Sequence, residues 1–157
     1  ANLAKVFALK QKRVALINFD EDDKMLRSFL DKNESGVYDY LSDKDGSWQN
    51  YIHQSKNDDN LFVMPAGSIP SNPSDLLNEN KLQTLIAFLK SGFDIVVVNC
   101  PTSVDESATV LIGKLMDKSI FVLNTDTSDE KSISLLNNYA AEEKFKDISV
   151  VLNCKKV

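Results

Sequence analysis

The chain has 157 residues, 43% of them hydrophobic, and sets 18 basic against 23 acidic side chains for a formal charge of −5. That balance opposes nonspecific attraction to nucleic acid or anionic lipid, and no apolar run approaches the ~20 residues that a membrane-spanning helix needs. One soluble domain covering residues 1–157 around a single core is expected, with no nucleic-acid partner.

Leu3, Val6 and Phe7 fall at helical spacing with no capping residue before them, so the chain reads as starting inside a helix, as a fragment of a longer protein. Arg13 to Asn18 is the first predicted strand. Met25, Leu26, Phe29 and Leu30 predict a short amphipathic helix behind the acidic run Glu21 to Asp23, which suits a solvated helix start favoured by the helix dipole. Val37, Tyr40 and Leu41 have the spacing of a helical turn, and Ser47 can cap a short helix carrying Trp48, Tyr51 and Ile52. After the polar turn Asn57 to Asn60, Leu61 to Met64 is a short strand stopped by Pro65. Pro65 to Pro73 reads as a loop of fixed backbone. A long helix then starts at Asn72 or Ser74 and carries Leu76, Leu77, Leu82, Leu85, Ile86 and Leu89 on one face as far as Gly92.

The next strand, Ile95 to Asn99, is an unbroken branched-apolar run that ends in a polar residue and Pro101. Lack of alternation suits a strand covered on both faces, as in a parallel sheet. A helix over Ser107 to Met116, a strand over Ile120 to Leu123, a helix over Ile133 to Phe145 and a strand over Ile148 to Leu152 complete the chain. Strands alternating with helices predict an α/β fold: three layers, α/β/α, around one mainly parallel sheet through Leu16, Val63, Val97, Val122 and Val151. Ligands of such sheets bind beyond the carboxyl ends of the strands, which here are Asn18 and Asn99. A nucleotide-hydrolysing protein would place aspartates there to hold Mg²⁺. Both residues are neutral, and both are equally able to act as turn-formers.

Other residues take plainer readings. Cys100 and Cys154 lack CxxC spacing and read as structural, buried thiols in a reducing cytosol. His53, the only histidine, reads as a surface residue with no catalytic role. Asp43-Lys44-Asp45-Gly46 places its glycine too early for a calcium loop and has no closing glutamate.

The segment Val63-Met64-Pro65-Ala66-Gly67-Ser68-Ile69-Pro70-Ser71-Asn72-Pro73-Ser74-Asp75-Leu76-Leu77 resembles "LPAG-x-x-PPNP-x-ELL" of the bacterial tyrosine kinases that control capsule and exopolysaccharide assembly. Gly36-Val37-Tyr38-Asp39-Tyr40-Leu41 is similar to their "GLS-[DE]-YL", and Val151-Leu152-Asn153 to their "VLN" strand end. These kinases belong to the MinD/ParA-like P-loop ATPase superfamily. The resemblance covers nearly the whole chain and implies a P-loop NTPase-like fold whose first strand and P-loop lie upstream of residue 1. It also implies that strands next to that first strand carry apolar surface it would otherwise cover.

At the catalytic positions the chain departs from the family. "LID-A-D-L-R" is matched by Leu16-Ile17-Asn18-Phe19-Asp20-Glu21-Asp22, which keeps only Asp20 and puts acid at Asp22 in place of arginine. "IIDTPP" is matched by Val97-Val98-Asn99-Cys100-Pro101-Thr102, and the aspartate of "VTDA" by Ala108. Mg²⁺ wants anionic oxygen, and an amide oxygen brings no charge. Asn18, Asp20 and Asn99 are therefore relict catalytic positions. Asp20 is the one candidate metal ligand, and the resemblance implies an adenine contact at Asn153.

The expected function is a catalytically degenerate, kinase-like module that regulates or scaffolds polysaccharide synthesis and export, with no cofactor. The resemblance implies a location on the cytoplasmic side of the bacterial inner membrane. It implies as partner a membrane chain-length (polysaccharide co-polymerase) protein, or a membrane segment of the same polypeptide, and leaves homo-oligomerisation open. The rival readings are an active ATPase or tyrosine autokinase using ATP and Mg²⁺ with its P-loop upstream, and a MinD-like or ParA-like positioning ATPase.

Overall fold

The computed structural model describes residues 1–20, 26–30, 34–77, 79–100, 106–124 and 130–154. The chain divides into two compact units, Ala1–Asp105 and Glu106–Val157. The Glu21–Asp23 run, Pro101, Thr102 and the side chains of Ser74 and Ala108 lie outside the described residues.

The first unit is built on β1 (Val14–Asn18), whose five residues are all buried. Helix α1 (Asn2–Leu9) precedes it, and α2 (Val37–Ser42) follows after a 3-10 turn at Leu26–Ser28. A second 3-10 turn, Trp48–Tyr51, leads into the hairpin of β2 (His53–Ser55) and β3 (Asp58–Met64). Helices α3 (Pro73–Leu76) and α4 (Glu79–Gly92) then bring the chain to β4 (Ile95–Asn99). The sheet order is β2-β3-β1-β4; β1 runs parallel to β3 and β4, and only β2 is antiparallel. Successive side chains of a strand point to opposite faces. Val14 and Leu16 thus join Ala4 and Ala8 of α1, Leu26, Phe29, Leu61 and Val63 in one core. The small Ala4 and Ala8 let α1 lie close to the sheet. On α4, the periodic Leu82, Leu85, Ile86 and Leu89 are all buried, as their spacing predicts.

The second unit holds α5 (Glu106–Leu115), β5 (Ser119–Asn124), α6 (Glu130–Ala141) and β6 (Ile148–Asn153), with β5 and β6 parallel and in register from Ser119↔Ile148 to Asn124↔Asn153. Its core is aromatic: Phe145 meets Phe121 and Tyr139 edge-on, at centroid distances of 5.4 and 5.1 Å. Gly113 of α5 gives that ring its seat, because a Cβ there would come within 1.9 Å of Phe145 Cε1.

The α/β class and the mainly parallel pairing are as expected, with four differences of detail. The described strands form two sheets instead of one, since no described strand hydrogen-bonds to the second edge of β4 or of β5. Ile120, Val122, Val150, Val151 and Leu152 stay exposed. The turn read at Asn57 to Asn60 is in fact the hairpin connection and the start of β3, paired to the unforeseen β2. The long helix is two helices, α3 and α4, and α6 stops at Ala141, with Glu143 at φ 50° turning the chain so that Phe145 folds back onto the core.

Candidate functional site

The carboxyl ends of β1 and β4 lie side by side, because the parallel register sets Asn18 opposite Asn99. Asn18 is fully buried. Its carboxamide is used at both ends: Asn99 Nδ2 donates to Asn18 Oδ1 at 2.6 Å, and Asn18 Nδ2 donates to the Asp20 carbonyl. Phe19 N–H donates to the Asn99 carbonyl at 2.9 Å, continuing the ladder past the side chains. Phe19 is itself buried and packs edge-on against Tyr38 at 5.6 Å. Burial, and after it the charge of a Cys100 thiolate, push the Tyr38 hydroxyl above its ordinary range, which keeps this phenol neutral at physiological pH.

A second constellation borders this one. The N–H groups that open α2 point into the Pro65–Ser68 loop: Val37 N–H donates to Pro65 O at 2.8 Å and Tyr38 N–H to Ala66 O at 3.0 Å. Asp39 closes the arrangement by accepting from Gly36 N–H at 2.8 Å and Ser68 N–H at 3.1 Å. Such charge-assisted bonds are worth about 1.5–3 kcal/mol each. Two of the three strings that carry the family resemblance, Gly36–Leu41 and the start of Val63–Leu77, are therefore one physical object, a loop stapled to a helix start. Sequence reading missed the role of Asp39; its signal was an acid three residues after a glycine at a helix entry.

Farther along α2, Tyr51 OH donates to Asp43 Oδ2 at 2.6 Å, while Lys81 of α4 donates to the Asp43 carbonyl and lies 4.7 Å from the Tyr40 ring centroid. The Tyr51 hydroxyl, then the Asp45 N–H, hold the Asp43 carboxyl below its ordinary value of 3.8; the same bond lifts Tyr51 above 10.0. A lowered carboxyl stabilises the fold above its unfolded pKa and loses that contribution as pH falls through the folded value. A raised phenol contributes below its unfolded pKa and loses it as pH rises through its folded value. Tyr51→Phe is accordingly expected to move the Asp43 carboxyl titration, followed by ¹³C NMR, up toward the ordinary value. An unchanged titration would mean that Tyr51 is not what lowers it.

The remaining sequence-marked residues fall as follows. Asp20 is half-buried beside the asparagine pair, contributing its carbonyl. Asn153, at the end of β6, is exposed and donates from Nδ2 to Asn124 Oδ1 at 2.8 Å. His53 is more engaged than a surface reading implies: Nδ1 lies 2.6 Å from Glu34 Oε2, though not aligned as a hydrogen bond, and Nε2 lies 2.8 Å from Ser35 O. The expected burial of both thiols fails for Cys154, which is exposed because β6 ends at the surface there; Cys100 is half-buried. Of the chain's four tyrosines, Tyr38, Tyr40 and Tyr139 are buried and the Tyr51 hydroxyl is bonded to Asp43.

No family model matches the chain. It is 27% identical over 158 residues to the tyrosine-protein kinase YwqD of Bacillus subtilis, covering 100% of this chain and 66% of that protein. It is 26% identical over 136 residues to a putative tyrosine-protein kinase in the cps region of Klebsiella pneumoniae, covering 86% of this chain and 19% of the relative. The solved kinase domain of the Escherichia coli tyrosine kinase Etk superposes with a TM-score of 0.80 at 27% identity, over 99% of this chain and 61% of the other. The chain is a homologue of the bacterial tyrosine kinases. At the level of fold alone it also matches the cell division ATPase MinD of Pyrococcus furiosus, with a TM-score of 0.73 and 21% identity over 98% of this chain and 64% of that one. The P-loop NTPase-like architecture thus holds, and the chain spans about two thirds of YwqD and under a fifth of the Klebsiella kinase.

That kinship implies Mg²⁺ and a nucleotide, and the strand ends do not fit the metal. The Asn18 oxygen already accepts from Asn99, its nitrogen already donates to the backbone, and neither amide carries charge. Among the described residues no three His, Cys, Asp or Glu side chains gather as a metal site.

Proposed function

We propose that this chain is a catalytically degenerate tyrosine-kinase-like module that regulates or scaffolds capsule or exopolysaccharide synthesis and export. It works on the cytoplasmic side of the bacterial inner membrane, against a membrane chain-length protein or a membrane segment of its own polypeptide. The observation that carries this reading is the Asn18–Asn99 pair: two neutral amides joined by a hydrogen bond stand where a phosphoryl-transfer site needs metal-holding charge. The polysaccharide context rests on the family resemblance and on the cps-region relative. No helix among the described residues is long and apolar enough to cross a membrane, so attachment would run through a partner or another segment.

The test is calorimetric titration of Mg·ATP into the natural protein, with phosphotyrosine detection, alongside deletion of the domain in its host. Absent or very weak binding, no phosphotyrosine and altered polymer amount or chain length are expected. Micromolar Mg·ATP binding with phosphate appearing on tyrosine would overturn the degenerate reading in favour of an active autokinase, the reading that the kinase relatives and the retained Asp20 favour. Unchanged polymer after deletion would remove the assembly role.

A further inference from the structure

Parallel register alone brings Asn18 and Asn99 together from positions 81 residues apart. Once there, they tie the two strand exits with a side-chain bond, while Phe19 N–H to Asn99 O continues the backbone ladder and Asn18 Nδ2 holds the Asp20 carbonyl. The same device recurs in the second unit, where the last register pair of β5 and β6 is Asn124 opposite Asn153, joined Nδ2 to Oδ1 at 2.8 Å. Two of the three parallel ladders among the described strands thus end in an amide pair, while β1 and β3 end at Ile17 opposite Met64.

Carboxylates behave differently at that spacing. Two of them at 2.6 Å, the Asn18–Asn99 contact distance, could both ionise only with a cation between them; without one they would share a proton and a single charge. An amide presents a donor to its neighbour's acceptor and needs neither.

We propose that the Asn18–Asn99 pair is a cation-free clasp: a direct hydrogen bond fastens the ends of β1 and β4 where a carboxylate pair would need a divalent ion, so that the strand ends neither take up nor require Mg²⁺. The clasp deepens the degenerate-kinase reading and rests on it. Its test uses no nucleotide, so either can fail without the other.

The experiment compares the nucleotide-free natural protein with its Asn18→Asp, Asn99→Asp double variant by thermal unfolding in EDTA and in excess Mg²⁺. The unmodified protein is expected to melt at the same temperature in both, whereas the variant melts lower in EDTA and regains about 2–4 °C or more with Mg²⁺. A comparable Mg²⁺ response in the unmodified protein, or none in a folded variant, would overturn the clasp. Should the variant not fold, NMR of the unmodified protein decides. Slowly exchanging Asn18 and Asn99 carboxamide protons whose shifts ignore Mg²⁺ support the proposal, and fast exchange or a Mg²⁺-induced shift refutes it.

Discussion

Gly36→Ala is expected to lower the melting temperature by about 6–12 °C, the shift that about 3 kcal/mol produces in a domain of this size. The reason is backbone proximity, since Gly36 has ordinary extended dihedrals. A Cβ at Gly36 would stand 1.9 Å from the Pro65 carbonyl oxygen and 2.8 Å from Gly67 N. Both are main-chain atoms, so no side chain can rotate away. The loop has to retreat, and its retreat stretches Val37 N–H to Pro65 O and Tyr38 N–H to Ala66 O together. Overpacking of this kind costs about 1–3 kcal/mol, and stretching two hydrogen bonds, each worth about 1 if wholly lost, brings the total to about 3. Gly67→Ala should do comparable harm by another route, because its φ of +76° is left-handed and its Cβ would press on Asp39 Oδ2. Gly92→Ala is the control: a Cβ there meets nothing within 4 Å, and about ±0.5 kcal/mol is expected. If Gly36→Ala and Gly92→Ala melt alike in a thermal scan, the stapled loop is not the structural object described above.

That loop also marks how far the amino-acid sequence could be read. Its rare string pointed to the family, and the unbroken runs of β1 and β4 gave parallel strands; β1 is fully buried as that composition predicts, whereas β4 is only half-buried, since no described strand pairs with its second edge. What escaped was whatever depends on a partner distant in the chain. His53-Gln54-Ser55 has little strand character of its own and becomes β2 only by pairing with β3. Asp39 stands in the sequence only as one position of the family string, and the loop residues that it holds come to it in the folded chain. Asn18 and Asn99 were picked out as missing carboxylates, yet nothing local says that they bond to each other. Only the register of β1 on β4 does. The predicted helix runs as far as Phe145, whereas α6 ends at Ala141 and the ring returns to Phe121 and Tyr139, a preference set by tertiary packing.

Restoring charge at the strand ends should raise Mg·ATP affinity tenfold or more in a protein that retains a phosphate-binding lysine upstream, since recovery of only about 1.4 kcal/mol gives that factor. Asparagine and aspartate are nearly isosteric, so Asn18→Asp with Asn99→Asp changes charge with little change of shape. The gain opposes a definite loss. The double variant surrenders the Asn99-to-Asn18 bond and the Asn18 donation to the Asp20 carbonyl, about 1 kcal/mol apiece by the usual accounting. Against this, a unit charge about 4 Å from another interacts by about 4 kcal/mol at an effective dielectric of about 20, and a divalent ion doubles the attraction at each carboxylate. Charge therefore wins when metal and triphosphate are both present, and the lost bonds win when they are absent. Calorimetric titration of the unmodified and doubly substituted proteins, each spanning the upstream segment, measures the balance. Equal affinities despite an intact upstream lysine would mean that neutral amides at positions 18 and 99 are not what weakens nucleotide binding, and the account of degeneracy given by Asn18 and Asn99 would fail with them.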